Sequence, residues 1–78
     1  MKTLVLIGND FCGVCKIAQQ TYDLAGIEYD YYESDSEEGE VYVDQYNLRR
    51  IPVMINTTTG KIIVGEPTEE DIELLKHT

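Results

Sequence analysis

An unbroken apolar run, Leu4-Val5-Leu6-Ile7, stops at Gly8-Asn9-Asp10, and a helical pattern starts a few residues later. A short run of β-forming, wholly apolar residues suits a strand buried on both faces, and such a strand needs covering elements on each side. The junction between the two patterns, Phe11-Cys12-Gly13-Val14-Cys15-Lys16, holds the only two cysteines of the chain at C-x-x-C spacing. A strand, a loop and a helix with paired thiols at the turn is the unit around which the remaining residues must be arranged.

From that junction Val14, Ile17, Ala18, Thr21, Leu24 and Ala25 recur at intervals of three and four, predicting an amphipathic helix ended by Gly26. Cys12 then falls at or just before a helix amino terminus. Residues 27–32 alternate Ile27, Tyr29 and Tyr31 against Glu28, Asp30 and Tyr32, which predicts a second strand with one polar face. The acidic stretch 33–40 reads as a loop opening a short helix, since Asp and Glu in a first turn complement the helix dipole. Val43 and Tyr46 should face inward, and Tyr42 and Tyr46, four apart, should pack.

Pro52 opens a third apolar run, Val53-Met54-Ile55, and Asn56-Thr57-Thr58-Thr59-Gly60 reads as a hairpin turn into Lys61-Ile62-Ile63-Val64. Gly65-Glu66-Pro67 breaks that pairing. Thr68-Glu69-Glu70-Asp71 is a helix cap of the Thr-x-x-acid kind, ahead of Ile72, Leu74 and Leu75. The order β-α-β-α-β-β-α, with a helix joining the first two strands so that they run parallel, predicts an α/β fold: a four-stranded mixed sheet flanked by three helices.

Composition narrows the function. At 78 residues there is room for one domain, residues 1–78, and the 42% apolar content with two prolines fits a folded chain. A net charge of −9, with acids gathered at Glu33, Asp35, Glu37, Glu38 and Glu40 and again at Glu66, Glu69, Glu70, Asp71 and Glu73, argues against nucleic-acid or anionic-membrane binding. The clusters read as solvated faces. The first apolar run is too short for a signal-peptide core or a membrane span, so a cytoplasmic protein is expected. There, two cysteines point to redox or metal chemistry rather than a permanent staple. A zinc site would need two more ligands, and His77 stands alone, so no metal is expected without a second chain to share it.

A thiolate, not a thiol, attacks a disulfide, and a helix amino terminus favours the anion through its unpaired N–H groups and its dipole. Cys12 is placed for attack. Cys15, one turn further in, is placed to attack a mixed disulfide held on Cys12 and release the reduced partner.

Cys12-Gly13-Val14-Cys15-Lys16, preceded by aromatic Phe11 and followed by Ile51-Pro52 at the entry to a strand, resembles the thioredoxin and glutaredoxin superfamily, and the element order matches over nearly the whole chain. The resemblance implies a thioredoxin fold, a nucleophilic Cys12, a resolving Cys15, and a cis Ile51-Pro52 peptide beside them. It also implies that the Ile51 backbone pairs with an extended substrate, so Phe11, Gly13, Val14, Ile51, Pro52 and Gly65 are expected to form the walls of the substrate groove.

Within the superfamily the letters Cys-Gly-x-Cys-Lys are thioredoxin-like, although Val14 stands where proline is usual and Phe11 where tryptophan is. The length is closer to glutaredoxins and to small redoxins of the NrdH type, bacterial or phage. The buried acid that thioredoxins carry six positions before the nucleophile is Leu6 here. Glutathione would be bound, by resemblance, through basic residues such as Lys16, Arg49 and Arg50 and through the turn at Gly65, where Glu66 would repel its terminal carboxylate. The alternative for Arg49 and Arg50 is capping a helix carboxyl end.

The resemblance thus implies a monomeric protein-disulfide reductase with no bound cofactor, recharged by thioredoxin reductase and NADPH or by glutathione, with ribonucleotide reductase a plausible client. The alternatives are a glutathione-dependent glutaredoxin, a non-enzymatic accessory subunit and a cluster-binding dimer. Because Val14 keeps an N–H that proline lacks, the expected potential falls between the roughly −270 mV of thioredoxin and the roughly −200 to −230 mV of glutaredoxins.

Overall fold

The central strand β1, Leu4–Gly8, is buried along its whole length because it is flanked by a strand on each edge and by helices on each face. In the computed structural model, which describes residues 3–77, β1 pairs in parallel with β2 (Asp30–Glu33) and antiparallel with β3 (Val53–Asn56). β3 pairs in turn with β4 (Ile62–Val64), giving the order β2-β1-β3-β4. Helices α1 (Gly13–Leu24), α2 (Glu37–Tyr46) and α3 (Glu69–Lys76) complete the expected four-stranded mixed sheet with three helices. Among the described residues no helix is long and apolar enough to cross a membrane.

The helix ends are closed as their sequences require. Ser36 caps α2 by accepting the Gly39 N–H at 3.0 Å, and the acids Glu37, Glu38 and Glu40 fill the first turn, where the dipole favours them. Thr68 and Asp71 form a reciprocal capping box on α3. At the hairpin between β3 and β4, the buried Asn56 side chain accepts the N–H groups of Thr58 and Thr59, and Gly60 takes the positive φ of +80° that closes the turn.

Several expectations shift. The second strand starts at Asp30 rather than residue 27, because Gly26 turns at φ +74° and Ile27 donates its N–H to Tyr22 O at 3.0 Å, closing α1 from beyond its end. Ile27 is spent on that closure. The buried face of α1 is also rotated: Cys15, Ala18 and Tyr22 face the sheet, whereas Val14 and Ile17 are about half exposed and Leu24 is 90% exposed. Leu74 of α3 is likewise exposed, with Leu75 the buried member of that pair.

The sheet separates two cores. Under α1 and α3 lie Leu4, Leu6, Ala18, Tyr22, Ile27, Met54 and Leu75, with Tyr29 and Tyr31 packed against them. Under α2 lie Val5, Ile7, Val53 and Ile55, with Tyr42, Val43 and Tyr46 as expected. Tyr32, expected on a polar face, instead stacks on Tyr42 with centroids 5.8 Å apart, so β2 is covered on both sides.

Candidate active site

The register brings several chain segments to one end of the sheet. Gly8 closes β1 opposite Glu33 of β2, Ile7 pairs with Val53, and Val53 pairs with Val64. The loop to Cys12, the Ile51-Pro52 peptide before β3 and the Gly65 turn after β4 therefore all spring from that end. Ile51-Pro52 is cis, as the resemblance implied, and Gly65 N–H donates to Pro52 O at 2.8 Å, tying two of the expected walls together.

The loop is shaped by Asn9, whose side chain accepts the Phe11 N–H at 2.9 Å and whose carbonyl accepts the Cys12 N–H at 3.1 Å. These bonds hold Cys12 as the N-cap of α1, with φ −97° and ψ 115°. In that position its sulfur does what a capping oxygen does elsewhere: Cys12 Sγ accepts the Cys15 N–H at 3.2 Å.

The two thiols, both free, are thereby differentiated. Cys12 is held below its ordinary value, first by the Cys15 thiol donating to its sulfur, then by the Cys15 N–H, with the Val14 N–H adding to them against a small cost of burial. Cys15 is fully buried, and burial above all, with the commitment of its S–H to Cys12, pushes it up to about 11. One sulfur is made more acidic than an ordinary thiol and its neighbour less so.

Around the pair, Phe11 is 99% exposed and Val14 and Ile17 half exposed, an apolar strip along the outer side of the junction. Gly13 and Lys16 are exposed on the first turn of α1, while Pro52 is buried and Ile51 partly so. Arg49 and Arg50 are exposed and gather with Asn47, Leu48, Val53, Ile62 and Val64 around a shallow hollow whose lining includes neither cysteine. They do not cap α2, which has no basic residue in its last turn and is closed by Asn47 at φ 53°.

Sequence reasoning missed the roles of Asn9, Asp10, Tyr31 and Glu33. The Asn9-x-Phe11 pattern, an Asx turn ahead of a helix, was the available signal for the first. The Glu33 carboxyl is held above the usual carboxylate range by hydrogen bonding with Asp10, a pairing across the loop that only the strand register reveals. Tyr31 lies against Gly8 and Cys15, with its hydroxyl buried.

No protein-family model and no curated protein sequence matches the chain. Solved structures do. A thioredoxin-like protein superposes with a TM-score of 0.78 at 15% identity, covering 99% of this chain and 97% of that one. The glutaredoxin of Archaeoglobus fulgidus superposes with a TM-score of 0.74 at 19% identity, covering 100% and 89%. Buckwheat glutaredoxin, solved as a complex with glutathione, gives 0.62 at 24% identity, covering 96% and 67%. The chain has the fold that thioredoxin-like proteins and glutaredoxins share.

Proposed function

We propose that this protein is a dithiol-disulfide oxidoreductase that reduces protein disulfides through Cys12 and Cys15. The observation that carries this is the opposite treatment of two cysteines one helical turn apart: Cys12 Sγ capped by the Cys15 N–H and made more acidic, Cys15 buried and made less so. Cys12 thiolate attacks one sulfur of a client disulfide, the client S–S bond breaks, and the departing client cysteine takes up a proton. Cys15 then attacks Cys12 Sγ, the mixed disulfide breaks, and the second client cysteine leaves as a thiol. Two electrons pass to the client and the pair ends as a Cys12–Cys15 disulfide.

The apolar strip of Phe11, Val14 and Ile17 supports a protein client, because it offers contact area to a polypeptide beside the nucleophile. The cis peptide and the Gly65 turn would supply the opposite wall. We place the protein in the cytoplasm, recharged by thioredoxin reductase and NADPH, with ribonucleotide reductase among its clients and no metal or other resident cofactor. A glutathione-dependent cycle is the second possibility, favoured by the adjacent cations Arg49 and Arg50 over an apolar hollow.

Turnover of insulin tests both. With thioredoxin reductase and NADPH as the electron source, reduction of insulin is expected; turnover sustained only by glutathione would move the protein to the glutaredoxin cycle, and no turnover with either would contradict the oxidoreductase proposal.

A further inference from the structure

Resolution contains the harder proton step of this cycle. Cys15 is fully buried, so it must shed its proton as it attacks, and an anionic sulfur inside the protein needs a hydrogen-bond donor. Leu6, on the β1 face beneath α1, is a buried hydrocarbon and provides none. The residue that faces Leu6 across the parallel ladder is Tyr31. Its hydroxyl is buried and, among the described residues, has no hydrogen-bond partner.

Gly8 is what lets this ring approach the thiol. A β-carbon at Gly8 would lie 3.2 Å from Tyr31 Cε1 and 3.3 Å from Cys15 Sγ, so ring and sulfur flank one small space that no side chain fills. An unpaired buried hydroxyl destabilises the resting state. That cost is recovered when an anion forms beside it, so the interaction favours the reacting state over the resting one.

We propose that Tyr31 is a positioning residue for the resolving thiol: across the space over Gly8 its hydroxyl donates a hydrogen bond to Cys15 Sγ as that sulfur becomes anionic. This role presupposes the dithiol cycle proposed above. In the step concerned, the Cys15 proton passes to the departing client sulfur, the bond between Cys12 and the client breaks, and the Cys12–Cys15 bond forms. Tyr31 keeps its own proton throughout.

The ionisable groups facing Tyr31 are Asp10 in the loop after β1, Tyr29 and Glu33 on its own segment, and Cys12 and Cys15 on α1. Burial first, then the charge of Asp10, pushes the phenol up to about 12, which keeps the donor protonated over the working range. Hydrogen bonding with Asp10 raises the Glu33 carboxyl.

Tyr31→Phe keeps the ring and removes only the oxygen. When the reduced protein is mixed with dithiobis(nitrobenzoate), capture by Cys12 releases one coloured thiol and resolution by Cys15 releases the second. In the variant the first release should be unchanged, and the second about tenfold slower with its pH profile displaced upward, the scale of losing one hydrogen bond to a charged group. A second release matching wild type in rate and pH profile overturns the role of Tyr31 alone, whereas a wild-type protein that shows no second release overturns the dithiol cycle and this role with it. Independently of turnover, carbon NMR titration of labelled Cys15 in a Cys12→Ser background should show its pKa rising when Tyr31→Phe is added, and an unmoved titration overturns the proposal.

Discussion

The two faces of the sheet use the same strands in different ways. Under α2, Val5, Ile7, Val53 and Ile55 are buried with Tyr32 stacked on Tyr42, and none of the side-chain polar atoms found buried without a partner among the described residues lies there. Under α1 and α3, Leu6 and Met54 are as deeply buried, yet they share the space with the Cys15 thiol and with the unpaired hydroxyls of Tyr22 and Tyr31. Hydrocarbon packing alone would have served both. The face that hosts the two cysteines also holds both of those unsatisfied hydroxyls, the kind of exception that calls for a specific explanation.

The contrast breaks most sharply under substitution. Cys12→Ser should abolish insulin reduction while leaving the urea midpoint nearly unchanged, because the residue caps a helix on the surface and serine caps as well. Ile55→Ala should do the reverse, costing about 2–5 kcal/mol in urea denaturation while turnover per folded molecule is kept. Loss of stability in the first or of specific activity in the second would merge the two faces.

A smaller effect follows from pH. Cys15 is pushed up from 9.0 to about 11, mainly by burial, so as pH rises the unfolded chain loses this proton before the folded one does. The stability it contributes is complete below pH 9.0 and is lost as pH rises through about 11. Tyr22 and Tyr29, raised first of all by burial, act in the same sense. Urea midpoints of the reduced protein should fall above pH 9.0, and less steeply in Cys15→Ala.

The smallest effect concerns one donor. Val14→Pro removes the N–H that helps to hold Cys12 below its ordinary value. Alkylation of Cys12 at neutral pH should slow a few-fold in that variant and its half-reaction pH should rise, with the reduction potential moving towards that of thioredoxin.

Much of the fold was legible because local chemistry and tertiary structure agree in it. The apolar run of β1, the Thr68–Asp71 cap and the Asn56–Gly60 turn each form as their residues dictate. The face of α1 was not legible, since Val14, Ile17 and Leu24 recur at helical spacing just as Cys15, Ala18 and Tyr22 do, and periodicity cannot choose between two apolar stripes one residue apart. Ile27 looked like strand because its part in closing α1 depends on a backbone bond to Tyr22. The thiol pair and the cis Ile51-Pro52 peptide were readable by resemblance. The placement of Tyr31 beside Cys15 was not, because it needs the pairing with Leu6 and the bare backbone of Gly8 together.

The proposed division of labour between the cysteines is tested most directly by trapping. Cys15→Ser mixed with a disulfide-containing protein should accumulate a mixed disulfide on Cys12, identified by mass spectrometry of the linked peptides, while Cys12→Ser should trap far less because its remaining thiol is buried and pushed up to about 11. Trapping on Cys15 in preference to Cys12, or on neither, would contradict the account.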